Sequence, residues 1–335
     1  MTTVGGSASI DISHDISHDI SHDISHDHIY DVGELGRALA AHGYLADEAT
    51  VTVASLALAL SRPLLAEGPP GTGKTELASS LAAVTGRRLI RLQCHEELDE
   101  ARALYEWDYG RQMLATQLMR PQLDAALSGL GADELFERTV DMEQFFFSER
   151  FVVERPLLAA VRATEPVLLL VDEVDRADEA FEALLLEVLG EQQVTIPELG
   201  TIVARRPIVA VITSNDSREL SDALRRRCLR LGFTYPDAER EAAIIAAKVP
   251  GVSSALRAGV VSFLAELRDL GLRKPPGISE AIDWARALLV MHADRLDPVL
   301  VRSTLGIIVK HAADERLVDA RIGDLLPGSS GASGS

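Results

Sequence analysis

The chain is poor in cysteine and in aromatic residues, and it lacks any long apolar run. Its two cysteines, Cys94 and Cys228, are too few for a disulfide framework, so a reduced, cytoplasmic setting is expected. Aromatics make up 4% of the 335 residues and hydrophobic residues 47%, which leaves the core to aliphatic side chains. No stretch reaches the roughly 18–20 apolar residues that a bilayer-spanning helix needs, so no membrane span is expected. The first residues show no basic start followed by an apolar stretch, which argues against a secretory signal. Positive charge is also scarce: 33 Lys and Arg stand against 51 Asp and Glu, a net charge of -18. Six Asp lie between residues 1 and 31 with no Lys or Arg, and taking -6 from -18 leaves -12 on the rest. So acidic a body gains nothing from the counterion release that drives nucleic-acid binding. Nucleic acid is therefore not an expected partner, although a local basic strip runs through Arg225–Arg230.

The amino-terminal segment is low in complexity, with ISHD repeated four times between Ile12 and Asp27. Residues 1–31 read as a disordered, solvated tail, because Ser, Asp and Ile recur without a core pattern. A second reading stays open. In a helix, His14, His18, His22 and His26 would share one face and act as a weak chelator of a soft divalent metal.

Beyond Tyr30 the apolar spacing turns helical at Leu35, Leu39 and Val51–Leu60. Short apolar runs at Arg62–Glu67, Arg88–Leu92, Val167–Val171 and Ile208–Ile212 predict strands, with helices at Lys74–Thr85 and Ala180–Leu189 between them. Alternation of this kind calls for an α/β fold with a parallel sheet between helices over residues 32–236. After Tyr235-Pro236 only helical patterns follow: Ala238–Ala247, Leu256–Leu267, Ser279–Ala293 and Pro298–Ala313. A small all-helical domain is expected over residues 237–326, with a flexible end at 327–335.

Four groups of residues carry chemistry. Gly68-Pro69-Pro70-Gly71-Thr72-Gly73-Lys74-Thr75 meets the pattern G-x-x-x-x-G-K-[ST], after a strand and before a helix. Such a loop turns backbone N–H groups toward phosphate oxygens, with Lys74 on the β- and γ-phosphates of ATP and Thr75 on Mg²⁺. The strand Val167–Val171 runs into Asp172-Glu173. Asp172 is placed to hold Mg²⁺ through water and Glu173 to act as general base on the attacking water. Asn215 follows the strand Ile208–Ile212, where an amide can orient that water; by itself such an Asn also fits a turn or a helix cap. Finally, Arg226 and Arg227 in DALRRRCLR are candidates for arginines offered to a neighbouring subunit's phosphates, against the alternative of a solvated basic patch. Arg225 reads as surface charge.

The order GPPGTGKT, VDEVD, TSN and an Arg cluster, followed by helices, resembles the AAA+ P-loop ATPases. Within them the chain resembles the MoxR group, and most of all its CoxD-like branch. The phrases RLIRLQCHEELDEARALYEWDY, LLLVDEVDRADEAFEALLLEVLGEQQVTIPELGTI, ITSNDSRELSDALRRRC and LRKPPGISEAIDWARAL carry that likeness, from about Leu35 to Leu317. The resemblance implies a ring oligomer, commonly a hexamer, with ATP sites between neighbours. It also implies a chaperone-like role in maturing a client enzyme, often metal-containing and in the CoxD-like case a molybdenum enzyme, alongside a von Willebrand factor A domain partner. By the same likeness Val194–Ile202 is a β-hairpin placed before the strand bearing Asn215, and Gln144–Val153 belongs to a second insertion.

One departure from the pattern concerns the lid. Many AAA+ proteins carry a phosphate-sensing arginine at the start of a late helix, and Pro275–Ala281 has none. Arg273, Lys274 and Arg286 are the nearby candidates. Three further features have both a functional and a packing reading: the run Phe145–Phe147, the aromatic stretch Tyr105–Tyr109, and the pair Cys94 and His95. The first two are candidates for gripping a client or partner and the third for a metal pair; packing is the expected role for the aromatics, and two ligands alone are weak evidence for a metal.

Overall fold

In a computed structural model, residues 31–326 apart from Gly129 are described. The ISHD repeat and residues 327–335 lie outside them. Among the described residues there are nine strands: β1 (Leu64–Glu67), β2 (Arg88–Gln93), β3 (Tyr105–Trp107), β4 (Val152–Glu154), β5 (Val167–Asp172), β6 (Gln193–Ile196), β7 (Gly200–Val203), β8 (Val209–Ser214) and β9 (Leu229–Gly232). Five of them form one sheet in the order β2-β5-β8-β1-β9, every pair parallel. Parallel strands need crossovers, and the helices that make them cover both faces of the sheet. Hence β5 and β8 are buried at every position.

The alternation of side chains still sorts these residues between two cores. Leu169 and Val171 join Leu65, Ile90, Leu92 and Phe181 on one face. Leu168 and Leu170 join Leu64, Leu77, Leu81 and Val211 on the other, where the helices Val32–Ala41 and Lys74–Val84 pack. The register aligns Glu67 with Ser214 and Gly232, and Gln93 with Asp172. The loops after β1, β5 and β8 therefore emerge together at the carboxyl edge of the sheet, where α/β folds of this kind bind ligands.

Two insertions leave this frame. β6 and β7 pair antiparallel, so the expected hairpin at Val194–Ile202 is present, with Val194 and Ile196 fully buried. β3 and β4 also pair antiparallel, and the helices Tyr109–Leu127 and Ala132–Phe146 lie between them in sequence. Phe145 and Phe146 are half-buried against Phe151, and Trp107 meets Tyr105 and Phe147 edge-on. These aromatics pack on one another, and the insertion instead leaves Tyr109, Met113, Leu118 and Phe136 exposed.

Residues 238–326 contain helices and no strand, built on a separate core around Trp284, Phe263 and Leu264. Here one sequence expectation needs correction. Pro298–Ala313 is not one helix: it stops at Ile308, and a second helix spans Ala312–Asp319. Val309 is extended yet buried, so an apolar residue continues the pattern while the backbone turns. None of the helices among the described residues is long and apolar enough to cross a membrane.

Candidate active site

The phosphate-loop residues Gly68–Thr75 join β1 to the helix Lys74–Val84, as the motif requires. Gly68 has φ +144, and a Cβ there would fall 2.1 Å from the carbonyl oxygen of Phe233, so only glycine fits. Gly73, in left-handed conformation, turns the chain into the helix. Thr72 Oγ1 donates to the Pro69 carbonyl at 2.9 Å, bracing the turn around Pro70 and Gly71. Lys74 is 5% exposed, and its Nζ donates to the carbonyls of Gly68 at 2.6 Å and Pro69 at 2.7 Å. Burial pulls its pKa below the usual lysine range, while Asp175, Asp172 and Glu173 pull the other way.

The carboxylates after β5 are held from several sides. Asp172 Oδ1 accepts from Thr213 Oγ1 at 2.6 Å and from Thr75 Oγ1 at 3.0 Å, and Oδ2 faces Arg91 Nη2 at 2.5 Å. Glu173 is a non-glycine residue at φ 57, ψ 50, a left-handed conformation that costs on the order of 1–3 kcal/mol. Its backbone N–H donates to Thr213 Oγ1 at 2.9 Å, which fixes that conformation. Its carboxylate accepts from Asn215 Nδ2 at 3.2 Å, from Gln93 Nε2 at 3.2 Å, and lies 2.9 Å from Arg176 Nε. Asn215 Oδ1 in turn accepts from Lys74 Nζ at 3.0 Å, so Lys74, Asn215 and Glu173 form one chain of contacts.

Thr75 and Asp172 offer hard oxygen donors side by side, the chemistry that suits Mg²⁺ once phosphate and water oxygens complete its shell. Among the described residues no cluster of three or more His, Cys, Asp or Glu forms an all-protein metal cage. His95 is exposed, whereas Cys94 is buried beneath the site, so the two do not make a metal pair. Burial, reinforced by Asp172, Asp175 and Glu173, pushes the Cys94 thiol up to about 12.

Several participants had little signature in the sequence. Thr213 clamps both the Asp172 side chain and the Glu173 backbone. Asp175 accepts from the Asn215 and Ser217 amides and from Ser217 Oγ, and so sets the turn that carries Asn215. Burial alone raises the Asp175 carboxyl, but these hydrogen bonds outweigh it and hold it below the usual carboxylate range. Only the adjacency of Thr213 and Asn215 in the TSN phrase, and of Asp175 in VDEVD, hinted at either.

A cleft of about 360 Å³ lies beside the loop, bordered by Tyr44, Gly73, Phe233, Arg240, Ile278 and Arg286. It falls between the phosphate loop and the helical region, with the size and mixed lining of a nucleoside pocket. Of Arg273, Lys274 and Arg286, Arg286 alone borders it. Arg286 sits two turns into the helix Ile278–Val290 rather than at its start.

Arg226 and Arg227 are not brought to this site. They end the helix Asp222–Arg227, and the next strand begins with Leu229, which pairs with Leu64 at the start of β1. They therefore stand at the amino edge of the sheet, a strand length of roughly 10–13 Å from the loop. Arg62 donates to the carbonyls of Arg226 at 2.8 Å and Arg227 at 3.2 Å, and the Arg227 guanidinium packs over Gly190. Arg225 is more than surface charge: its Nη2 lies 3.7 Å from the buried Glu67 carboxylate, which also pairs with Arg230.

A known family agrees with this geometry. Residues 63–228 match the family described as AAA domain (dynein-related subfamily). Protein NorQ of Paracoccus denitrificans is 24% identical over 296 residues, covering 86% of this chain and 94% of NorQ. An uncharacterized protein of Staphylococcus haemolyticus is 24% identical over 280 residues, covering 81% of this chain and 92% of the relative. Among solved structures, the Thermotoga maritima RuvB Holliday junction branch migration motor aligns with a TM-score of 0.45 at 19% identity, covering 81% of this chain and 71% of RuvB. The parallel sheet, the phosphate loop, the Asp-Glu pair and the matched family together identify residues 63–228 as an AAA domain of the dynein-related subfamily, and the chain as an ATPase of the AAA+ class.

Proposed function

We propose that this ATPase is a Mg²⁺-dependent remodelling motor whose sites are completed by a neighbouring subunit. The observation that carries the reading is the chain from Lys74 through Asn215 to Glu173, beside the Thr75 and Asp172 oxygens. It joins a phosphate-binding cation, a water-orienting amide and a general base in one cluster. Gly68–Thr75 hold the phosphates, Lys74 leaving its loop carbonyls for the nucleotide oxygens. Thr75 and Asp172 hold Mg²⁺, which when bound offsets charge on the phosphates. Glu173 takes a proton from water at its carboxylate, and Asn215 keeps that carboxylate aimed. Arg226 and Arg227, whose backbone lies at the opposite edge of the sheet from their own loop, serve the next subunit in a ring. Residues 32–236 act as the nucleotide-binding unit and 237–326 as its lid.

The resemblance to the MoxR group supports a chaperone-like role in maturing a client enzyme in the cytoplasm, with a von Willebrand factor A protein as partner, and the chain is similar to NorQ over 94% of that protein. A molybdenum enzyme is the client class that the CoxD-like likeness favours. A second reading, a nucleotide-gated scaffold with negligible turnover, draws on the absence of an arginine from Pro275–Ala281. Phosphate release from the full chain, with and without Glu173→Gln, separates the two. The motor reading expects turnover to fall about a hundredfold or more in Glu173→Gln while ATP binding survives. Equal phosphate release in both proteins removes Glu173 from its role, and none in either favours the scaffold. Sedimentation with ATP tests the ring; a monomer at every nucleotide concentration overturns it.

A further inference from the structure

The ion pair between Arg91 and Asp172 is asymmetric, and its asymmetry is informative. Asp172 is 3% exposed and has spent Oδ1 on two threonine hydroxyls, so Oδ2 is its remaining acceptor. Arg91 Nη2 takes that oxygen at 2.5 Å from the edge strand β2. The same Nη2 donates to Gln93 Oε1 at 2.8 Å, and Gln93 Nε2 donates to Glu173 Oε2 at 3.2 Å. One guanidinium thus touches the carboxylate assigned to the metal and, through a single amide, the carboxylate assigned to water.

Arg91 itself is not locked in place. Its side chain is 54% exposed, against 5% for that of Asp172. A cavity of about 660 Å³ opens beside it, with Asp99 and Glu106 on the wall. Glu106 pairs with Arg155 and Asp99 accepts from the Arg102 backbone N–H, so a guanidinium that leaves Asp172 would share these carboxylates rather than find them free. A permanently buried partner would have neither room nor a second place to pair.

We propose that Arg91 is a stand-in cation: it neutralises Asp172 until the metal arrives, and its departure releases Gln93, which is one of the groups on the Glu173 carboxylate beside Asn215 and Arg176. This rests on the assignment of Thr75 and Asp172 to Mg²⁺. Arg91 is then a positioning residue that competes with the metal for one carboxylate. Removing it strengthens metal binding, the opposite of what loss of an orienting residue does.

The test is a titration of Mn²⁺ into the full chain with ADP present, following free Mn²⁺ by its electron paramagnetic resonance signal. Arg91→Ala should lower the half-saturating Mn²⁺ concentration about threefold to tenfold, the range for a pair with one exposed partner. Arg91→Lys, which keeps a cation, should stay near wild type. Melting temperature gives an independent readout: Arg91→Ala should melt lower without metal and recover with Mn²⁺ and ADP. Arg91→Gln serves the same comparison if the alanine variant does not fold. Unchanged or weaker Mn²⁺ binding in the folded Ala or Gln variant overturns the proposal, as does an equal loss of melting temperature with and without metal. Asp172→Asn in the same titration separates the levels. If it leaves Mn²⁺ binding intact, the metal site itself is misassigned and the stand-in role falls with it. If it weakens binding while Arg91→Ala does not strengthen it, the stand-in role alone is wrong.

Discussion

Gly71 and Gly277 meet backbone to backbone. Ile278 N–H donates to the Gly71 carbonyl at 2.7 Å, and a Cβ on Gly277 would lie 2.7 Å from both the Cα and the carbonyl oxygen of Gly71. The phosphate loop is thus in direct contact with the first turn of the helix Ile278–Val290. We therefore expect a shift of the loop on nucleotide binding to be passed to that helix directly.

Gly277 sits at φ -94, which alanine tolerates, so Gly277→Ala acts through this contact rather than through its own backbone. ATP affinity is expected to fall about tenfold, in the range of 1–3 kcal/mol for overpacking, with the fold intact by circular dichroism. Unchanged affinity for a fluorescent ATP analogue would sink the idea that loop and lid move together.

The position of Arg226 and Arg227 at the far edge of the sheet yields a mixing experiment. Glu173→Gln alone and Arg226→Ala/Arg227→Ala alone should each lose nearly all turnover. An equal mixture should regain about a quarter of wild-type activity, since a head-to-tail ring pairs an intact Glu173 with an intact arginine pair at that frequency. No recovery in a mixture shown to co-assemble would return these arginines to the solvated surface.

Arg62 donates to the backbone carbonyls of Arg226, Arg227 and Cys228 and touches no residue of the loop. Arg62→Ala is therefore expected to reduce turnover about tenfold while leaving ATP affinity within about twofold. A matching loss in affinity would mean that Arg62 supports the loop instead.

Asp175 should shape stability at acid pH. Its folded pKa is lowered, so its contribution is present above the unfolded aspartate value of about 3.9 and is lost as pH falls through the folded value. Asp175→Asn is expected to cost about 1–3 kcal/mol at pH 7 and to flatten the acid limb of melting temperature against pH. A variant whose acid limb runs parallel to wild type would contradict this.

Cys94 and Cys228 are both buried, and burial pushes each thiol up to about 12. Neither should react with iodoacetamide at pH 8 in the native protein, whereas both should react once it is unfolded. Rapid labelling of either thiol without unfolding would show that the local packing opens.

Much of the candidate site was legible along the chain because its residue types are compressed into short phrases. GPPGTGKT and VDE each hold donors whose spacing alone dictates a phosphate loop and a strand end. The strands themselves were readable because a parallel sheet buried on both faces forces continuous aliphatic runs, seen in VLLLV and IVAVI. The hairpin at Val194–Ile202 followed from likeness rather than periodicity, since four-residue strands carry little pattern. The break at Val309 escaped because burial there comes from an extended residue.

What the tertiary structure decided is which residues meet. Thr213 and Arg91 reach Asp172 because β8 and β2 flank β5, a neighbour order that no local pattern encodes. Gly71 and Gly277 are two hundred and six positions apart; the φ of +74 already favours glycine at Gly71, whereas only the contact between them makes glycine necessary at Gly277. Likewise, parallel register between β1 and β9 sets Arg226 and Arg227 a strand length from their own loop. By itself the sequence determined the kind of chemistry, because backbone turns and donor types are local. The assignment of partners came from topology, because contacts across a sheet depend on which strands lie side by side.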